Sequence, residues 1–385
     1  MKVLVDATVV TPQTAHTSIT IWTLRYLRAI PQEERKEYTL LILDSARELF
    51  RASLPEFAVL VFRPTVHDYL RVPTLALRAC AKWLDSVRME RLINPRHFDV
   101  YFSPNHWPIY GHLALNCKQA MVVHDLKELK IERPDHVASA LQTLMKARKR
   151  RRQFVGSDAL VACSKFTKQD LLTFYPELQA EKIHVVYNCV PMAAASVCPT
   201  GFSAQRPYIL FVNTLQRYKN VATLVRAFVR LKDRIGEDLV VVGKQTDYWQ
   251  QEVYPLIVAA GMEQRVRRLE GLSDEELRYL YERAALFVTP SLREGFGYTP
   301  VEAAIYQCPV VSTIQESLPD VLGERVSYYY PAVDEQALAD KMAAVLAHRP
   351  TPEQLADTAA YFQKKYAPEI QERAIHEILT GLCGA

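Results

Sequence analysis

The stretch Pro290-Ser291-Leu292-Arg293-Glu294-Gly295-Phe296-Gly297-Tyr298-Thr299-Pro300-Val301-Glu302 sets two carboxylates eight positions apart around a glycine turn. Gly295 and Gly297 permit positive φ and close backbone approach to a ligand. A helix is expected to start near Pro300, because proline is pre-organised for the first helical position. The N–H groups of Gly297, Tyr298 and the first turn would then point out of the helix. With the helix dipole they make an anion site suited to a diphosphate. Thr299-Pro300-Val301-Glu302 also matches a capping box, in which Glu302 reaches back to the helix cap. Glu294 reads equally as a solvated loop charge or as a ligand contact.

Three other segments carry candidate chemistry. Leu215-Gln216-Arg217-Tyr218-Lys219-Asn220 follows a β-rich run, and Arg217 and Lys219 could neutralise a diphosphate or form a solvated basic loop. Val122-Val123-His124-Asp125-Leu126 places His124 and Asp125 at the carboxyl end of a strand, where a His-Asp step is either catalytic or a turn cap. Lys146-Ala147-Arg148-Lys149-Arg150-Arg151-Arg152 forms a basic run on an expected helix, 139–155. It is either a solvated helix face or an attraction to an anionic membrane. Nucleic acid is disfavoured as a partner, because no stacking aromatics accompany these charges.

The elements that must position these residues alternate between β-rich and helical patterns, the signature of parallel α/β units. Strands are expected at 3–5, 38–43, 59–62, 100–102, 120–123, 159–162 and 184–187. A second series follows at 208–212, 239–242, 266–269, 286–289 and 309–312. Helices fit between them, including 21–29, 75–92, 221–231, 274–283 and 336–347. Residues 191–206 are rich in small residues and prolines and read as a linker. The expected division is 1–190, the linker, 207–367, and a final helix, 368–385, that returns to the first domain. The fold class is thus α/β, two Rossmann-like parallel domains facing across a cleft, with ligands at the carboxyl ends of the strands. Neither domain shows G-x-G-x-x-G after its first strand, which disfavours simple NAD binding.

The 385 residues suit two domains rather than one core. Seven scattered cysteines without C-x-x-C spacing argue against a zinc site or a disulfide framework, so a reducing, cytoplasmic setting is expected. No window holds the ~18 apolar residues of a membrane span. Met1-Lys2-Val3-Leu4-Val5-Asp6 meets an acid too early for a signal peptide and reads as a buried strand. Residues 1–190 carry 27 Lys+Arg against 19 Asp+Glu, and residues 191–385 carry 20 against 24. The basic first half suggests an anionic partner.

Glu294 to Glu302, an E-x7-E arrangement headed by Glu-Gly-Phe-Gly, resembles the retaining glycosyltransferases of the GT-B fold, family-4 type. The resemblance extends through Leu272-Ser273-Asp274-Glu275-Glu276-Leu277, Ala284 to Ser291, Cys308-Pro309-Val310-Val311 and Ser317-Leu318-Pro319-Asp320-Val321. It implies hexosyl transfer from a GDP-, UDP- or dTDP-hexose to a glycan or lipid-linked hydroxyl, in surface polysaccharide or glycoconjugate assembly. It further implies retention of configuration, no metal, no cofactor, and peripheral contact with the inner face of a membrane through 146–152. By the same resemblance Glu294 and the Phe296, Gly297 and Tyr298 backbone contact sugar and diphosphate. Glu302 takes the ribose, Lys219 and Arg217 the phosphates, His124 the donor sugar, and Gly243, Lys244 and Leu272 surround the base.

The chain departs from the family pattern in places. Ala15-His16-Thr17-Ser18-Ile19-Thr20-Ile21-Trp22 stands where a glycine-rich loop is usual. Backbone approach there must differ, or the loop serves the acceptor. Asn213-Thr214-Leu215 replaces the family's Gly-Arg-Leu, Tyr218 separates Arg217 from Lys219, Cys189 replaces the glycine of Asn-Gly-Val, and Gln307 another glycine. Two rivals stay open: a non-catalytic GT-B partner that binds nucleotide-sugar, and another GT-B enzyme, a phosphorylase or epimerase.

Overall fold

The computed structural model describes residues 1–14, 17–66, 74–106, 113–126, 129 and 148–384. The chain divides into two compact units, Met1–Tyr187 with Pro368–Ala385, and Asn188–Ala367. Residues 188–206 carry no helix or strand.

In the first unit the order is β1 (Val3–Asp6), α1 (Ser18–Ala29), β2 (Tyr38–Leu43), α2 (Arg47–Ser53), β3 (Ala58–Phe62), α3 (Leu75–Ile93), β4 (Val100–Ser103) and β5 (Lys118–Val123). Then come α4 (described over 148–156), β6 (Ala159–Ala162), α5 (Lys165–Phe174) and β7 (Ile183–Val185). The seven strands form one parallel sheet, ordered β3-β2-β1-β4-β5-β6-β7. Of the helix expected at 139–155, residues 139–147 lie outside the described residues.

The second unit runs β8 (Tyr208–Val212), α6 (Val221–Arg230), β9 (Asp238–Val242), α7 (Tyr254–Ala259), β10 (Val266–Leu269), α8 (Asp274–Arg283) and β11 (Leu286–Thr289). It continues through α9 (Tyr298–Ile305), β12 (Val310–Thr313), α10 (Leu318–Leu322), β13 (Ser327–Tyr329), α11 (Glu335–Ala347) and α12 (Pro352–Lys365). Its parallel sheet is ordered β10-β9-β8-β11-β12-β13, the 3-2-1-4-5-6 order of a Rossmann sheet. α13 (Pro368–Cys383) belongs to the first unit and buries Ile375 and Leu379 in its core.

Strands such as Tyr208–Val212 and Leu286–Thr289 are buried at every position. Helices cover both faces of each sheet, so these runs are uniformly apolar rather than alternating. The expected strand at 184–187 is placed at Ile183–Val185, and Val186 still donates to the Ala162 carbonyl. β13 was not expected: it is a three-residue edge strand, too short to show a period. Among the described residues no helix is long and apolar enough to cross a membrane.

In each sheet the order reverses between the first and fourth strands, so the loops leaving those two strands part to opposite faces. Side chains from both loops can then meet at the carboxyl edge. That geometry fixes where Lys219 and Glu294 go.

Candidate functional site

In the second unit the switch point lies between β8 and β11. The loop after β8 ends in Arg217–Lys219, a single 3-10 turn, and Asn220 in the left-handed conformation at φ 57°. Asparagine tolerates that conformation, and it turns the chain directly into α6. The Asn220 amide donates to the Pro290 carbonyl at 3.1 Å and to the Ala332 carbonyl at 2.9 Å. This amide ties the loop after β8 to the loop after β11.

Across that tie Lys219 Nζ meets Glu294 Oε1 at 2.7 Å, with both side chains about one-tenth exposed. The Asn213 amide reaches the same oxygen at 3.4 Å. Glu316 Oε2 accepts the Glu294 N–H at 2.8 Å, and the Ser317 hydroxyl donates to the Glu294 carbonyl at 2.7 Å. The carboxylate is therefore fixed at the side chain and on both sides of its own backbone. Glu316 is itself at φ 50°. Asn213, Asn220, Glu316 and Ser317 were missed as site residues; the one sequence signal was an asparagine directly before a helical run.

Gly297 sits at φ 89°, and a Cβ there would come 2.7 Å from the Leu318 side chain. It caps α9, which begins at Tyr298 rather than near Pro300, so Pro300 is the third helical residue and the proposed capping box does not form. The left-handed glycine starts the helix two residues early and carries Glu302 into its second turn. Instead of reaching back, Glu302 Oε2 accepts from the Tyr281 hydroxyl at 2.9 Å. Burial first, and then Glu302 itself, hold the Tyr281 phenol well above its ordinary pKa, so it stays a donor. The Phe296 ring is buried edge-on to Tyr298 and Tyr366, leaving its backbone as the part that can serve a ligand.

Arg217 is not brought to Glu294. It forms an ion pair with Glu252 and lies over the Tyr248 ring at 5.4 Å. Gly243 follows β9, and a Cβ there would meet the Asn213 carbonyl at 2.3 Å, so its glycine is needed for Asn213 to pack where it does. Lys244 is exposed. Leu272 is half-buried between Gly271 at φ 71° and Ser273, which caps α8 in a capping box with Glu276.

In the first unit His124 directly follows β5. Its Nε2 donates to the Pro104 carbonyl at 2.9 Å, which assigns the proton to Nε2, and the ring stands edge-on to Trp22 at 5.4 Å. The Cys163 thiol donates to the His124 carbonyl at 2.8 Å, and burial pushes that thiol up to about 12. Asp6, at the end of β1, is buried and accepts from Tyr101 and from both the N–H and hydroxyl of Thr8.

The loop from β1 into α1 has hydroxyls where the family pattern has glycine. Thr14 Oγ1 donates to the Val9 carbonyl at 2.6 Å and accepts the Thr11 N–H at 2.9 Å. Thr17 caps α1 and shares a hydrogen bond with Thr20 at 3.0 Å. The signal was in the sequence, since threonine recurs every third residue from Thr8 to Thr23. Ala15 and His16 lie outside the described residues. In α4 the basic run is not one solvated face: Arg150 is buried, while Arg148, Lys149, Arg151 and Arg152 line a wide opening with Glu177. Lys146 and Ala147 lie outside the described residues.

Two family models divide most of the chain. Glycosyltransferase Family 4 matches residues 13–193, and Glycosyl transferases group 1 matches residues 199–361. Each model matches just under half of the chain, so along most of its length the chain is similar to family-4 glycosyltransferases. O-antigen chain mannosyltransferase B of Escherichia coli is 29% identical to this chain over 175 residues, 43% of this chain and 45% of that protein. Alpha-maltose-1-phosphate synthase of Mycolicibacterium smegmatis is 24% identical over 256 residues, 60% of this chain and 64% of that protein. The chain thus spans less than two thirds of the length of either relative. Among solved structures, sucrose-phosphate synthase from Thermosynechococcus elongatus matches with a TM-score of 0.76 at 15% identity, over 100% of this chain and 99% of that one. Anabaena Alr3699/HepE in complex with UDP and glucose matches at 0.71 and 15% identity, over 99% and 100%. At such identity the likeness establishes the GT-B fold.

Proposed function

We propose that this glycosyltransferase moves a hexosyl unit from a nucleotide diphosphate sugar to a hydroxyl of a glycan or lipid-linked acceptor, in surface polysaccharide or glycoconjugate assembly. The observation that carries this reading is the buried Lys219–Glu294 pair beside the left-handed Gly297 at the start of α9. A buried carboxylate held by a lysine, next to a helix N-terminus, suits a ligand with both hydroxyls and phosphates.

The proposed roles follow. The α9 N-terminus and Lys219 take the diphosphate, whose negative charge grows as it leaves. Glu294 takes the sugar hydroxyls. Glu302, oriented by Tyr281, takes the two ribose hydroxyls. His124 approaches the sugar with its Nε2 proton committed to Pro104. The bond between the anomeric carbon and the diphosphate oxygen breaks as the acceptor oxygen attacks from the same face. The departing phosphate oxygen accepts the acceptor proton, so configuration is retained without a covalent nucleophile. Positive charge from the protein takes the place of a metal.

Arg217 contributes through Glu252 and Tyr248 to the shape of the loop rather than to the phosphates. The exposed arginines of α4 are the face proposed to meet anionic lipid, and co-sedimentation with vesicles of anionic against neutral lipid tests this. Candidate UDP-, GDP- and dTDP-hexoses incubated with short glycan acceptors test the function itself. One donor should give nucleoside diphosphate together with a product whose anomeric proton signal matches the donor's configuration. Turnover should persist in chelator at a temperature where the fold is intact. Turnover that needs inorganic phosphate, or no acceptor at all, would show a phosphorylase or an epimerase instead.

A further inference from the structure

α13 carries Glu372 and His376 one turn apart, so both side chains leave the same face of the helix. That face meets Glu34, in the turn between α1 and β2. The ligand atoms of Glu34, Glu372 and His376 all lie within 4.8 Å of one another. His376 Nδ1 is 3.2 Å from Glu34 Oε2 and 3.1 Å from the Tyr38 hydroxyl. Glu372 is 5% exposed, and among the described residues its Oε1 has no hydrogen-bond partner. A buried acceptor without a donor is an unusual thing for a folded chain to keep.

We propose that Glu34, Glu372 and His376 bind one divalent transition-metal cation of the zinc class, which fastens α13 to the turn after α1. Two carboxylates and one imidazole are a borderline donor set that favours zinc-like ions over magnesium, and their two charges neutralise the ion. Ligands i and i+4 on one helix face are a known zinc-holding arrangement. At metal–ligand distances near 2.1 Å, ligand atoms stand no more than about 4 Å apart, so the cluster closes on an ion with a side-chain adjustment of about an ångström. The ion would sit between His376 Nδ1 and Glu34 Oε2, a buried oxygen that among the described residues has no hydrogen-bond partner. The site lies wholly on the first unit and serves its architecture, not the chemistry at Glu294.

The test uses the full chain stripped by chelator and then titrated with zinc, manganese or magnesium. Metal content and thermal unfolding are both read. One equivalent of zinc should bind and raise Tm by about 5–10 °C at a hundredfold excess over Kd, with magnesium giving no shift. Glu372→Gln and His376→Gln should both lose that equivalent while keeping a native circular dichroism spectrum. If either fails to fold, Glu34→Gln, on a residue one-third exposed, should weaken zinc at least tenfold. Wild-type chain that takes up no zinc, or variants that bind it as wild type does, would overturn the site.

Discussion

Lys219 Nζ and Glu294 Oε1 lie 2.7 Å apart, 75 residues distant in sequence, and both side chains are buried. The pair joins the loops after β8 and β11, the two strands flanking the switch point of the second sheet. Breaking a buried pair from one side leaves an uncompensated charge and costs about 3 kcal/mol or more. Lys219→Met and Glu294→Gln should therefore each destabilise the chain by about that much and abolish measurable transfer. The double variant should recover most of the stability and none of the activity. Urea unfolding of the four proteins as a double-mutant cycle measures the coupling, and additive losses would deny the pair its structural role.

Gly297→Ala should cost about 2–4 kcal/mol. The residue must keep φ 89° while its methyl group meets Leu318 at 2.7 Å. Urea denaturation checks the stability, and calorimetry checks donor affinity, expected to fall with it because α9 starts at this residue.

How far the sequence spoke for itself differs between residues. Both sheets were legible, because buried parallel strands such as Tyr208–Val212 stand out as apolar runs. Glu294 and Lys219 were legible through their loops and their resemblance. The Glu302 capping box was not, since the local pattern Thr299-Pro300-Val301-Glu302 cannot show that Gly297 starts the helix two residues earlier. Nor could spacing show that Arg217 turns to Glu252, because both directions suit a basic loop. Glu316 and Ser317 reach Glu294 only through the chain's path around β12.

Tyr281→Phe removes the hydroxyl that orients Glu302 while keeping the buried ring. The donor KM should rise severalfold with kcat nearly unchanged, since ribose contacts are made equally in ground and transition states. Glu302→Ala should show a larger KM rise without the stability loss of a broken helix cap. Steady-state kinetics with thermal unfolding separates the two roles.

Thr14→Val keeps the shape of the side chain and deletes the hydroxyl that joins Val9 and Thr11. A loss of about 1–2 kcal/mol is expected from the stranded backbone groups. Chemical denaturation measures it, and donor binding, proposed for the second unit, should be unchanged.

The most direct measurement of the central claim needs no knowledge of the acceptor. Thermal unfolding of the wild-type chain is followed with UDP, GDP and dTDP, each raised to millimolar concentration. One nucleotide should raise Tm in proportion to its saturation, a gain of about 2.7 kcal/mol at a hundredfold excess over Kd. The shift should shrink sharply in Lys219→Met measured from its own lower baseline. A wild-type chain whose unfolding none of the three nucleotides moves would contradict a diphosphate site at Lys219, Glu294 and the start of α9.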